Sequence, residues 1–257
     1  MPIRQKTLFE TDGVKVRLSH YGASADMAPH THGYTQLSWL LAGELAEQHG
    51  RHDIEVLGPS LGIKPADCRH ANRYGRDGSL ILSVNVEEDR LPGLLGQAGL
   101  DWGWARQREQ RDGRDPVPAL AALLAAGGEE AGWALNDLVA RAFAAPADAR
   151  DATPVWIDRV REQLREEENE LDLEAVAAQA GVHRVHLSRS FARHVGMAPS
   201  LYRTRVRLAR ALRGLMEGQS AADAAYAAGF SDQAHLNRWI KRETGFAPRR
   251  LSRLLAA

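Results

Sequence analysis

The chain has 257 residues, of which 44% are hydrophobic, and its 33 Lys and Arg balance 33 Asp and Glu. That is enough for one large or two ordinary domains with buried cores. A single cysteine, Cys68, excludes an internal disulfide and fits a reducing cytoplasm. No apolar run follows Met1-Pro2-Ile3-Arg4, so no secretory signal is expected, and the longest apolar stretch, near residues 39–42, is far too short to span a bilayer.

Residues 7–21 alternate in part, with Val14, Val16 and Leu18 on one face, which predicts a half-buried strand. Further short strands are predicted at 37–45, 54–57, 60–64 and 80–86, punctuated by Gly43, Gly50, Gly58-Pro59, Pro65 and the glycines of 75–78. Many short strands with regular turns predict a sandwich or barrel. In this region His30-x-His32 is followed by Gln36 and Gly43, and later by Pro65-x-Asp67-x-x-His70-x-Asn72. The pattern resembles the two short motifs of the cupin barrel. In metal-binding cupins two His of the first motif, an acidic residue after them and one His of the second hold the ion. The matching positions are His30, His32, Gln36 and His70, with neutral Gln36 in place of a carboxylate and Asp67 in place of a Gly. Three imidazoles suit Zn, Ni, Cu or Fe. Residues two apart on a strand share a face, so His30 and His32 are expected to point inward together. The same residues also fit a small-molecule pocket without metal, or a set of hydrogen-bonded core histidines. Cys68 shares strand parity with His70 and either lines the cavity or lies buried and inert. His20, His49 and His52 are read as surface residues without function.

From Leu91 the periodicity turns helical. Leu91, Leu94, Leu95 and Ala98 form one stripe, residues 118–126 are rich in Ala and Leu, and Leu135, Leu138, Val139 and Ala142 give a helix over 133–143 after Gly127-Gly128. These amphipathic helices need a partner surface, and Trp102 and Trp104 are read as core or interface aromatics. Proline and small polar residues make 146–153 a linker. A helix over 155–168 follows, capped by Thr153 with Pro154 in its first turn, and with Val155, Ile157, Val160 and Leu164 on its inner face. Glu166 to Glu168 and Glu170 make an acidic end that would repel phosphate.

The last third repeats itself. His186-Leu187-Ser188-Arg189 is followed by Gly196-Met197-Ala198-Pro199, and His235-Leu236-Asn237-Arg238 by Gly245-Phe246-Ala247-Pro248, an offset of about 49 residues. An alanine-rich segment ending in Gly181 or Gly229 precedes each copy. Each unit reads as a helix, a turn at Gly and a second helix with one buried stripe, Leu187 with Phe191 and Leu236 with Ile240. Asp172, with Leu171 and Val176 as a staple, starts the first unit, and Ser220 with Asp223 starts the second. Between them residues 200–215 predict a rod about 24 Å long, with Tyr202, Val206, Ala209 and Leu212 or Met216 as its apolar stripe and Arg203, Arg205, Arg207, Arg210 and Arg213 over much of the rest. From Pro154 onward the chain holds 17 basic and 12 acidic residues, against 16 and 21 before it. The basic half is therefore the half with the repeated helix pairs, the pattern of a polyanion-binding domain.

Residues 171–250 resemble the DNA-binding domain of the AraC/XylS family of bacterial transcription regulators. The resemblance rests on both motifs, the joining helix and the Gly-Phe-x-Asp-x-x-x-Leu-x-Arg pattern from Gly229 to Arg238, and His183 departs from it where an N-cap Ser is usual. It implies an α+β two-domain protein. Residues 1–145 would be a cupin-like sensing and dimerisation barrel with following helices, and 154–257 an all-α domain with helix-turn-helix motifs at about 172–194 and 220–243. The expected function is a cytoplasmic, sequence-specific regulator, not an enzyme, that binds double-stranded DNA, answers to a small-molecule or metal effector and forms a homodimer, with RNA polymerase a partner if it activates. Arg189 and Arg238 are the first candidates for base or phosphate contact, followed by Val185, Ser188, Gln233, His235 and Asn237. Arg203, Arg207, Lys241 and Arg242 are expected to hold phosphates. The rival reading is a metal-dependent cupin enzyme fused to a DNA-binding domain.

Overall fold

The computed structural model describes residues 3–56, 60–95, 105–108, 115–126, 129–143, 154–166 and 172–256. The linker, Leu171, Ala98, Gly127-Gly128, Trp102, Trp104 and Thr153 lie outside them, as do Glu167, Glu168 and Glu170. The expected two-domain α+β architecture is present. Strands β1 (Arg4–Thr11), β2 (Val14–Tyr21), β3 (Asp26–His30), β4 (Thr35–His49), β5 (His52–Val56), β6 (Ser60–Lys64), β7 (His70–Val86) and β8 (Ala105–Arg108) make one bent sheet. Its order is β1-β2-β7-β4-β6-β8, with β3 on β7 and β5 on β4.

The predicted strand over 7–21 is two strands, because Gly13 takes a left-handed φ of 70° and turns β1 back on β2 as a hairpin. Gly50, with a φ of 58°, likewise turns β4 into β5, but Gly43, Gly75 and Gly78 do not break their strands. β4 and β7 run long, 15 and 17 residues, and bend where Gly43 meets Gly78. A Cβ on Gly43 would sit 2.1 Å from the Gly78 carbonyl oxygen, so the two backbones touch only because no side chain intervenes. Beyond the bend Leu45 to His49 pair with His70 to Tyr74, which sets a second layer, completed by β3 and β5, against the first. Leu40 and Ile81 of one layer pack with Leu45, Val56 and Tyr74 of the other.

The alternation of β2, β4 and β7 decides what each face meets. Val16, Leu18, Leu37, Trp39, Leu82 and Val84 point outward, into a core shared with helices α2 (Pro116–Ala125) and α3 (Glu129–Phe143). Arg17, Gln36, Ser38, Ser83 and Asn85 point inward to a cavity. The short α1 (Leu91–Leu95) seats Leu91 in the same core.

The C-terminal domain comprises α4 (Val155–Glu166), α5 (Leu173–Gln179), α6 (Arg184–Val195), α7 (Pro199–Met216), α8 (Ala221–Ala227), α9 (Gln233–Thr244) and α10 (Pro248–Leu255). Ile157, Val160 and Leu164 bury their side chains as expected. Val155 is instead 74% exposed, because it sits on the opposite face of the first turn. The first helix pair closes a core of its own from α4 to α7. Leu236, Ile240, Phe246 and Leu251 of the second instead join the core on the outer face of the sheet.

The first pair reaches the sheet through a polar seam. Glu44 of β4 accepts from the Tyr202 hydroxyl at 2.8 Å and pairs with Arg165, which also donates to the Tyr202 oxygen at 3.1 Å. Arg161 pairs with Glu55 at 3.1 Å, Arg76 with Glu162 at 2.8 Å, and Arg213 with Asp77 at 2.9 Å. Burial and then the Glu44 charge push the Tyr202 hydroxyl above the usual tyrosine range, so it remains a donor. Tyr202→Phe removes a hydrogen bond to a half-buried charge. Urea unfolding should show it about 1.5–3 kcal/mol less stable than the parent, and an unchanged midpoint would remove the seam as a stabilising element.

Candidate functional site

The two helix pairs are built by the same local chemistry. Asp172 accepts from the amides of Glu174 and Ala175, and the Ser220 hydroxyl oxygen from that of Asp223, so both first helices start where their caps predict. Each ends in a left-handed turn closed by a pair of backbone bonds, Val182 N–H to Ala177 and Phe230 N–H to Ala225. Gly229 is needed twice over: its φ is +77°, and a Cβ there would come within 3.1 Å of the Arg207 guanidinium. The unusual His183 still caps α6, its Nδ1 accepting from the Val185 amide at 3.2 Å, while Asp232 caps α9 with a carboxylate.

Leu187, Phe191 and Val195 of α6 and Leu236 and Ile240 of α9 are buried, which turns the opposite faces outward. Arg189, Arg193, Gln233, Arg238, Lys241 and Arg242 are exposed, Ser188 and Asn237 half-buried, and Val185 is 43% exposed. Among the described residues Arg189, Arg238 and Lys241 make no ion pair within 4 Å, although the Arg238 charge helps to hold the Asp232 carboxyl below its usual range, after the His235 amide. Arg242 lies over the Trp239 ring at 4.5 Å and beside Glu243 at 3.4 Å.

Three expectations need correction. His235 is not a reader of bases: Trp239 Nε1, a donor only, donates to its Nε2 at 3.0 Å, so its Nδ1 carries the proton and donates to the Ser231 oxygen at 3.0 Å. Both ring nitrogens are engaged within the second helix pair. Arg203 is only 7% exposed and therefore cannot present its guanidinium to a phosphate. Arg207 is half-buried against the Gly229 turn, which places it under the second helix pair and not on an open face. The rod looked solvated in sequence because its arginines are many. In the fold they serve the protein, Arg205 toward Glu243 and Arg210 and Arg213 toward Asp77.

The histidine cluster forms, by a different route from strand parity. His30 ends β3 and His32 lies beyond it, yet both face His70, and the three rings stand 4.4–5.2 Å apart. One ligand atom from each lies within 4.8 Å of the others. Nδ1 of His30 meets the Ala28 carbonyl at 2.8 Å, and Nδ1 of His70 the Cys68 carbonyl at 2.9 Å. A carbonyl only accepts, so both Nδ1 atoms are protonated and both Nε2 atoms offer lone pairs. Burial, and then the neighbouring positive groups, lower His32 to about 4; burial leads again at His70, also lowered to about 4. Neutral rings with preset lone pairs fit a divalent transition metal. Gln36 lines the same cavity but does not complete that set: its oxygen accepts from Lys64 at 3.4 Å and its amide donates to Asn85 at 3.1 Å. Cys68 precedes β7 and places its sulfur 3.3 Å from His49 Nδ1, away from the cavity lining.

His20 is also corrected. It is 6% exposed, and burial followed by the Arg4 charge lowers it to about 4. A base whose folded pKa lies below its unfolded value adds stability above pH 6.5 that is lost as pH falls toward 4. At pH 5 the parent should therefore have lost about 2 kcal/mol that His20→Gln does not lose. Unfolding curves of both proteins at pH 7 and pH 5 check this, and parallel losses would place His20 in a polar environment.

Residues 176–253 match a family model described as a helix-turn-helix domain. The HTH-type transcriptional activator RhaS of Escherichia coli (strain SE11) is 34% identical over 82 residues, which is 32% of this chain and 30% of that protein; the chain thus matches under a third of that relative's length. Among solved structures, ToxT from Vibrio cholerae is similar over 95% of this chain and all of its own, at 10% identity and a TM-score of 0.39. An AraC-type regulator from Chromobacterium violaceum is similar over 39% of this chain and 92% of its own, at 26% identity and a TM-score of 0.37. A cupin superfamily protein from Desulfitobacterium hafniense covers 34% of this chain and 79% of its own, at 17% identity and a TM-score of 0.32. No described helix is long and apolar enough to cross a membrane.

Proposed function

We propose that the chain is a sequence-specific regulator of transcription whose helix-turn-helix units, in residues 176–253, dock α6 and α9 in major grooves of double-stranded DNA. The observation that carries this is the equivalence of Arg189 and Arg238. They are the same position of the repeat, both exposed, on helices whose capping and turns match. A guanidinium suits the O6 and N7 of guanine, the exposed Val185 suits a thymine methyl, and Gln233, Asn237 and Ser188 flank them. Lys241 and Arg242 suit phosphate.

The cavity is the effector site in this reading. Leu45 and Tyr74 line it, while Glu44, the residue before Leu45 on β4, and Arg76, two residues beyond Tyr74 on β7, hold α4 and α7. A ligand pressing on that wall acts on the seam from the other side. If the effector is a metal, His30, His32 and His70 hold it, and Zn, Ni, Cu or Fe would supply a Lewis-acid anchor for a further ligand. The same cluster favours the second reading, a metal-dependent enzyme fused to a DNA-binding domain, and metal analysis with turnover assays on purified protein separates the two. Trp133 on α3 is 74% exposed, which supports a homodimer through that helix. A cytoplasmic location and, for an activator, contact with RNA polymerase follow from the same reading.

Operator sequences selected from random DNA supply the test. Arg238→Ala should weaken operator binding by about 5–150-fold and relax preference at one base pair. Lys241→Ala should weaken all sequences alike and reduce the salt slope by about one. Equal, unselective losses in both variants would mean that Arg238 meets backbone only. His30→Ala with His32→Ala should abolish the response to effector or metal while operator binding persists, and a normal response would move the sensing site elsewhere.

A further inference from the structure

The cavity of about 360 Å³ lies within the size range of small-molecule sites. Its charge and its unpartnered polar atoms both describe what it would hold. Among the described residues no aspartate or glutamate lines it, yet Arg17 and Lys64 both do. Lys64 is already answered by the buried Glu47 at 3.4 Å and by the Ser38 hydroxyl at 3.1 Å. Arg17 has no ion pair among the described residues, and its Nε is buried without a hydrogen-bond partner there. Two more buried atoms of lining residues are in the same condition, the side-chain oxygen of Asn72 and Nε2 of His30. A polar atom buried without a partner costs about 1–3 kcal/mol, so three of them around one cavity describe the ligand by complement. Arg17 calls for an acceptor that carries negative charge. Asn72 Oδ1 calls for a donor, and so does the His30 lone pair when no metal is bound.

We infer that the cavity binds a small hydroxy acid, its carboxylate paired with Arg17 and its hydroxyls donating to Asn72 and His30. This rests on the reading of the cavity as the effector site and names the class of effector.

The test uses full-length protein stripped of metal with EDTA, so that chelation cannot stand in for the Arg17 pair. Binding is measured by calorimetry for tartrate, citrate and gluconate, for the neutral polyols threitol and sorbitol, and for inorganic phosphate. At least one hydroxy acid should bind ten-fold or more tightly than the polyols and phosphate. Arg17→Gln should remove that preference and Arg17→Lys should keep most of it, with circular dichroism confirming that both are folded. The inference is overturned if no acid exceeds the polyols, if phosphate binds as well as the acids, or if Arg17→Gln keeps full affinity. Operator binding is followed in the same samples. An acid that binds through Arg17 but leaves operator affinity unchanged would uphold the ligand class and defeat the effector reading alone.

Discussion

One helix belongs to two cores. At its start α7 gives Tyr202 and Val206 to the core of the first helix pair, and further along it gives Leu208, Ala211, Leu212, Leu215 and Met216 to the core of the second. Close-packed interiors resist rotation, so neither pair can turn about α7 without opening the core it shares with that helix. Eighteen helical residues make a spacer about 27 Å long, and its length sets the distance between the two exposed arginine faces.

The two pairs are nevertheless held differently. The second is continued by apolar packing into the outer face of the sheet, where Leu236 and Ile240 share a core with Leu37, Leu82 and Leu120. Such burial is non-directional and tolerates small shifts. The first meets the sheet through Glu44, Glu55 and Asp77, whose partners are arginines and one tyrosine. Where that seam is shielded from water, at Glu44 and Asp77, a charge that loses its partner keeps its desolvation cost, whereas Glu55 is exposed. This asymmetry lies under a sequence repeat that looks symmetric.

The sheet itself reverses a common expectation. Its most apolar face is turned outward onto α2, α3 and the second helix pair, and the face with arginine, lysine, amides and histidines encloses the cavity. Alternation with a period of two sets which residues share a face, but both faces are covered here, and only the partner of each face tells inside from outside.

What could be read from the sequence is what is settled within a few residues. Asp172 and Ser220 cap helices by bonding amides two or three residues on, Gly181 and Gly229 end helices because a left-handed φ suits them, and Leu187 with Phe191 make a stripe one turn apart. The histidine pair His30 and His32 was legible with its partner His70 because the spacing of two short motifs carried it. What the tertiary structure alone decided is where distant segments close over a side chain. Glu44 and Tyr202 are 158 positions apart, Arg203 and His20 are buried by elements that no local pattern connects to them, and Gly43 is a close approach instead of a turn because Gly78 lies across from it. Caps and turns obey short-range hydrogen bonding, whereas burial of a charge or a ring depends on which far surface arrives to cover it.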